Sequence, residues 1–130
     1  MKLLVTGGAG FIGSNFIRYL FSTGDDVEVV NLDALTYAGN LENLDGLEEQ
    51  AGYRFVKGDI ADNGLVFGLM AEGFDGLINF AAETHVDRSI HDSSPFLTTN
   101  VLGVQVLLEA ARKYKLERFL HISTDEVYGS

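Results

Sequence analysis

The densest chemistry in this 130-residue sequence lies near its end, in His121-Ile122-Ser123-Thr124-Asp125-Glu126-Val127-Tyr128-Gly129. A hydroxyl, Thr124, is followed by two carboxylates, Asp125 and Glu126. In a partly enclosed cleft, neighbouring carboxylates whose surroundings push their pKa values apart can divide into a proton donor and a proton acceptor. The same residues also make a plain capped loop with solvated acids, and composition does not separate these readings. A second polar cluster, Glu83-Thr84-His85-Val86-Asp87-Arg88-Ser89, follows the apolar run Leu77-Ile78-Asn79-Phe80-Ala81-Ala82. For His85 a ligand contact and a structural hydrogen bond are equally open.

These groups need something to act with, and the start of the chain supplies a candidate. Leu3-Leu4-Val5-Thr6 is a short apolar run suited to a strand buried on both faces. Gly7-Gly8-Ala9-Gly10 follows, and Phe11-Ile12-Gly13-Ser14 opens an amphipathic helix to about Ser22. Strand, glycine turn and helix in that order open a dinucleotide-binding βαβ unit. The spacing fits both Gly8-x-Gly10-x-x-Gly13 and Gly7-x-x-Gly10-x-x-Gly13. Gly7 or Gly8 permits a tight turn with positive φ, Gly10 lets a pyrophosphate approach the backbone, and Gly13 lets helix and strand pack closely. The free N–H groups at the helix start, at Phe11 and Ile12, then face the phosphates with the helix dipole behind them.

The elements that must position these groups follow in order. Val27-Glu28-Val29-Val30-Asn31-Leu32 is a second strand ending at Asp33, about 20 residues after Gly13. A carboxylate there accepts ribose hydroxyls and repels a 2′-phosphate, favouring NAD over NADP. Residues 36–50 read as a polar loop holding at most a short helix. Tyr53-Arg54-Phe55-Val56-Lys57 is a third strand, followed by Gly58-Asp59-Ile60. Asp59 and Ile60 either contact adenine, or Asp59 caps a helix over 61–72, with Leu65, Phe67 and Met70 as its buried stripe. The fourth strand ends at the small residues Ala81 and Ala82, where a bound ring can pass. Pro95 sits in the first turn of a long helix over 95–114, and the fifth strand lies within 116–123. Five strands alternating with helices predict an α/β, doubly wound, Rossmann-like parallel sheet of order 3-2-1-4-5. Its site lies where the winding reverses, at the carboxyl ends of strands 1 and 4.

Composition narrows the partners. The net charge is −10, with nine Lys and Arg residues spread along the chain, so no basic surface for nucleic acid or anionic membrane is expected. No apolar run reaches membrane-spanning length. Without cysteine, disulfides, thiolate catalysis and thiolate-bound metal are excluded, and no metal site is expected. Met1-Lys2 leads directly into a strand, so no signal peptide is expected, and a reducing cytoplasm fits.

Taken together, four segments carry a resemblance: Thr6 to Ser14, Asp33-Ala34-Leu35-Thr36-Tyr37-Ala38-Gly39-Asn40, Ala81 to Ser89, and Ser123 to Gly129. In them the chain resembles the dTDP-glucose 4,6-dehydratases of the extended short-chain dehydrogenase/reductase family. The resemblance implies an NAD-dependent lyase cycle on a nucleotide sugar. Hydride passes from C4 of the glucosyl ring to NAD, Glu126 removes the C5 proton, and Asp125 protonates the departing C6 hydroxyl. Hydride then returns to C6. Thr124 hydrogen-bonds near the 4-oxygen, and Glu83, Thr84 and His85 contact sugar or cofactor. Sugar 4-epimerases of the same superfamily lack the acidic pair; an epimerase, a decarboxylase or a non-catalytic NAD-binding module are the alternatives.

One part of the family pattern is missing. Its oxidation step uses a Tyr-x-x-x-Lys pair on the helix after strand 5, beyond Ser130. The spacing Tyr53 to Lys57 occurs only in the third strand. There, i and i+4 lie about 13 Å apart, against about 6 Å in a helix, so this pair is a decoy. The expectation is therefore a cofactor-binding domain over 1–130 that precedes an absent catalytic helix and substrate domain, and that turns over nothing alone. Strand 5 is then an exposed edge. The helix over 95–114 carries Phe96, Leu97, Val101, Leu102, Val104, Val106, Leu107 and Leu108 on more than one face, so beyond the sheet it covers either a partner's helix, as in a homodimer, or a missing segment of this protein; the homodimer is the expectation.

Overall fold

The computed structural model describes residues 1–24, 26–35, 40–81 and 98–123, with 98–100 described by their backbone alone. Five parallel strands form one sheet: β1 (Lys2–Thr6), β2 (Glu28–Asp33), β3 (Tyr53–Lys57), β4 (Gly76–Asn79) and β5 (Arg118–His121). Their order is β3-β2-β1-β4-β5, as the alternating pattern predicts. Among the described residues three α-helices accompany them, α1 (Phe11–Ser22), α2 (Asn63–Met70) and α3 (Val104–Lys113), the last entered through a π-helical stretch, Thr98–Gly103. Among the described residues of the predicted polar loop lie two short 3₁₀ turns, Leu41–Leu44 and Leu47–Glu49. No helix among the described residues is long and apolar enough to cross a membrane.

Alternation along the strands sorts the core into two layers. On one face Leu4, Val30, Leu32 and Leu77 pack against Val66, Leu69 and Met70 of α2 and Leu107 and Ala110 of α3. On the other, Val5 and Val29 pack with Ala9, Ile17 of α1, Leu44 and Leu47. Asn31 and Asp33 share the parity of Val29, so their side chains stand on the α1 face, under the glycine turn. Thr6, Asn79 and His121 share the parity of Leu4, Leu77 and Phe119, and stand on the opposite face in one row across β1, β4 and β5.

Two local expectations need correction. The cap of α2 is Asp62, whose carboxylate accepts the Leu65 N–H at 3.1 Å; Asp59 instead accepts the Ala61 N–H at 2.9 Å in the turn before it. Both acids precede the helix with hydrogen-bonding side chains, and only the one with extended backbone immediately before the first turn can cap it. The stripe of α2 is Val66, Leu69 and Met70, with Leu65 and Phe67 only partly buried. The helix runs Asn63–Met70, two residues shorter at each end than the expected 61–72.

β5 is an edge strand of the sheet and Leu120 on it is exposed. On the π-helical stretch and α3, Leu107 and Ala110 face the core while Val101, Leu102 and Leu108 are exposed.

Candidate cofactor site at the switch point

The winding of the sheet reverses between β1 and β4, and the glycine turn leaves β1 there. Gly7 makes the turn, with φ +74°. A Cβ on Gly7 would also collide with the backbone of Phe80 and Ala81, reaching the Phe80 carbonyl carbon at 2.6 Å. The end of β4 is thus pressed against the turn. Gly13 is needed for a similar reason, since a Cβ there would lie 2.6 Å from the Gly7 carbonyl oxygen. Gly8 is small for Asn31: a Cβ would strike its amide, and Cδ1 of Ile17 at 2.6 Å.

The hydrogen bonds of the turn determine which of its N–H groups are free. The Gly7 N–H donates to the Leu32 carbonyl at 2.9 Å, and the Gly10 N–H to the Gly7 carbonyl at 3.3 Å. The Gly8 N–H donates to Oδ1 of Asn31 at 3.0 Å, and the Ala9 N–H to Oδ2 of Asp33 at 2.8 Å. All four turn amides therefore point inward. Gly10 is the N-cap of α1, and the first helical bond runs from the Ser14 N–H to the Gly10 carbonyl at 3.0 Å. Among the described residues, the N–H groups of Phe11, Ile12 and Gly13 meet no acceptor. The side chains of Phe11 and Ile12 are 78% and 64% exposed, so this first turn is open to solvent. Three convergent amide donors with the positive end of a helix dipole behind them suit an anion such as a diphosphate.

Asp33 closes β2 beside the turn and is 8% exposed. Its Oδ1 accepts the Leu35 N–H at 2.7 Å while Oδ2 holds Ala9. A carboxylate offers about four acceptor positions, so two of these bonds leave capacity for hydroxyl donors. The segment after residue 39 docks on the same turn. The Ala9 carbonyl accepts the Asn40 N–H at 3.1 Å and Nδ2 of Asn43 at 2.9 Å. Arg18 of α1 ties this segment down by donating to the carbonyls of Asn43 and Asp45.

A second polar row stands on the other face. The Thr6 hydroxyl donates to Oδ1 of Asn79 at 2.5 Å, and the Ala81 N–H donates to the same oxygen at 3.0 Å. Because a backbone N–H can only donate, the atom it meets is the amide oxygen. The Asn79 NH₂ therefore faces Nδ1 of His121, at 3.0 Å, and that nitrogen accepts. His121 is thus held as the Nε2–H tautomer, at the strand end that leads into Ser123. Thr6 and Asn79 are fully buried.

Of the residues expected to hold a cofactor, the structure brings Gly7, Gly10, Phe11, Ile12, Gly13 and Asp33 together around one turn, with Ala81 against Gly7. Asp59 lies just past β3, beyond Gly58, whose N–H donates to the Asp33 carbonyl at 3.0 Å. Ile60 is in the core, 4% exposed. Tyr53 and Lys57 stand at opposite ends of β3, and burial pushes the Tyr53 hydroxyl above its usual pKa. That is the reverse of what a base needs. Ala82, Glu83, Thr84, His85, Thr124, Asp125 and Glu126 lie outside the described residues. Asn31, Asn79 and His121 were not singled out by sequence; their roles depend on which strands are neighbours, which residue types do not reveal.

Residues 4–130 match a family model described as GDP-mannose 4,6 dehydratase. The low-salt glycan biosynthesis protein Agl12 of Haloferax volcanii is 60% identical over 129 residues, which cover 99% of this chain and 41% of that protein. The dTDP-glucose 4,6-dehydratase of Streptomyces niveus is 55% identical over 136 residues, covering 100% of this chain and 40% of that enzyme. Among solved structures, the dTDP-glucose 4,6-dehydratase DesIV of Streptomyces venezuelae, crystallised with NAD, superposes with a TM-score of 0.94 at 51% identity. The match covers 100% of this chain and 41% of DesIV. The chain thus spans about two fifths of the length of the relatives it matches.

Proposed function

The chain belongs to the GDP-mannose 4,6 dehydratase family, and from that premise we propose that it is the NAD-binding part of a nucleotide-sugar 4,6-dehydratase of the kind that acts on dTDP-glucose. The observation that carries the cofactor reading is the set of free amides at Phe11, Ile12 and Gly13, one turn away from the buried Asp33 carboxylate. The amides receive the diphosphate, and Asp33 takes the ribose hydroxyls with the acceptor positions that Ala9 and Leu35 leave. On this reading Asp59 and Ile60 serve the adenine, and Ala81 and Ala82 the nicotinamide. When bound, NAD supplies the transient oxidation at C4 of the sugar.

The chain's own acids carry the elimination that lies between removal of hydride at C4 and its return at C6. Once C4 is a ketone, the C5 proton is acidic, and Glu126 removes it. Asp125 gives a proton to the C6 hydroxyl as it leaves as water. Thr124 hydrogen-bonds the 4-oxygen, and Glu83, Thr84 and His85 contact the sugar. Elimination needs one proton taken and one given in a single cleft, which is why the adjacent pair Asp125 and Glu126 favours dehydration over epimerisation. A cysteine-free chain suits a reducing cytoplasm, and the exposed Val101, Leu102 and Leu108 suit a homodimer through the helix over 95–114.

Titration of NAD into the isotope-labelled chain tests the reading. Amide shifts at Phe11, Ile12 and Gly13 are expected, with no turnover of dTDP-glucose by these 130 residues alone. Shifts confined elsewhere would overturn the cofactor assignment, and turnover would overturn the assignment of the chain as a partial machine.

A further inference from the structure

We propose that Asn31 is the positioning residue of the diphosphate-binding turn: from inside β2 it holds the Gly8 peptide inward, while the Tyr53 hydroxyl anchors the other end of its amide. The inference rests on reading the turn as an NAD site and adds a residue to it.

Asn31 is 0% exposed in the middle of a strand flanked by β1 and β3. Its Oδ1 accepts the Gly8 N–H at 3.0 Å and its Nδ2 donates to the Tyr53 hydroxyl at 3.1 Å. The Gly8 N–H can only donate, so it fixes Oδ1 as the atom it meets, and the Tyr53 hydroxyl, which can accept, takes the NH₂ end. A buried amide in a strand core adds little to net stability over an apolar side chain of like size, because its hydrogen bonds mainly offset its desolvation. Its polarity therefore serves orientation.

What it orients is the turn. Asn31 and Asp33, two residues apart on one face of β2, grip the consecutive peptides of Gly8 and Ala9. Gly8 lacks a side chain because the Asn31 amide occupies that space. Together with the Gly7 and Gly10 bonds, this grip turns every amide of residues 7–10 away from the ligand side. Only the three amides of the first helical turn of α1 remain for an anion, already aimed before it arrives. Preorganised donors bind more tightly than donors that must be ordered on binding.

The test compares ligands with and without phosphates. NAD, ADP and adenosine are titrated separately into the 130-residue chain and its variants, with binding followed by amide shifts. Asn31→Leu is expected to weaken NAD and ADP about tenfold, and Tyr53→Phe about threefold, as loss of one buried hydrogen-bond partner implies. Adenosine binding should be unchanged in both. Tyr53→Phe decides the matter if Asn31→Leu does not fold. An equal loss for adenosine and ADP would reduce Asn31 to a packing role, and unchanged ADP affinity in the variants would remove its role altogether; either overturns the proposal. If the unaltered chain binds neither NAD nor ADP, the cofactor reading itself fails and the proposal with it.

Discussion

Oδ2 of Asp33 accepts the Ala9 N–H at 2.8 Å, so the acid that ends the second strand is also a tie that holds the glycine turn. Its other oxygen holds Leu35 at 2.7 Å. Asp33→Asn replaces one acceptor by a donor facing an N–H. We expect it to lower unfolding free energy by about 1–3 kcal/mol, measured in urea. It should weaken NAD without giving tight NADP binding, because the turn that receives the diphosphate loosens as well. Gain of NADP affinity at undiminished stability would contradict this dual role.

Two glycines with positive φ should respond very differently to alanine. Gly46 has φ +86° and open space around it among the described residues, so Gly46→Ala carries only the left-handed backbone term, about 1–2 kcal/mol. Gly7→Ala adds a collision with the backbone of Phe80 and Ala81 and should lose about 3 kcal/mol or more. Equal losses in the two variants would mean that β4 does not press on the turn.

Asn79 has three partners at once, and Asn79→Leu removes the partner of the fully buried Thr6 hydroxyl, of the Ala81 N–H and of Nδ1 of His121. A loss of about 3 kcal/mol is expected, at the upper end for a buried polar deletion. The tautomer supplies an independent reading. Long-range ¹⁵N correlation should show His121 with its proton on Nε2 in the unaltered chain, and a proton on Nδ1 would contradict the assignment.

At the opposite end of the sheet, Glu72 joins β1 to β3 across β2. It lies 3.3 Å from Nζ of Lys2 and 2.7 Å from the Arg54 guanidinium. The hydrogen bond from Arg54, helped by Lys2, holds its carboxyl below the usual glutamate value. A lowered folded-state pKa gives stability that is present above the ordinary pKa and lost as the pH falls through the lowered one. Glu72→Gln should therefore melt below the unaltered chain at pH 7, by about 0.5 kcal/mol given the exposure of the pair, and the gap should close in acid. NAD affinity should not change, since the site is at the other edge.

The exposed Val101, Leu102 and Leu108 give the proposed homodimer a direct test. Sedimentation at micromolar concentration should show a dimer, and Leu102→Glu with Leu108→Glu should give monomer without loss of fold. A monomer in the unaltered chain would reject this interface.

Much of this arrangement was legible in the residues. The strand order follows from five apolar runs alternating with helices, and the turn from the spacing of Gly7, Gly10 and Gly13 before an amphipathic run. Asp33 was legible from its distance to Gly13. What each glycine avoids was not: Gly8 makes room for Asn31, a contact between residues 23 apart in sequence. The choice of Asp62 over Asp59 as cap depends on backbone angles at two neighbouring acids, which side-chain type does not set. The stripe of α2 was misread because nearly every position in Asn63–Met70 is apolar or glycine, so periodicity has little contrast there.

The row Thr6, Asn79 and His121 has a consequence for how the sheet assembles. Leu77 and Ile78 are interchangeable to a hydrophobic core, so apolar contacts alone would tolerate β4 sliding by a residue along β1. Such a slide would place Ile78 or Phe80 opposite Thr6 and strand the asparagine amide in a dry layer. The polar row thus proofreads alignment during folding, admitting only the pairing in which the chain's two halves meet with their ends level.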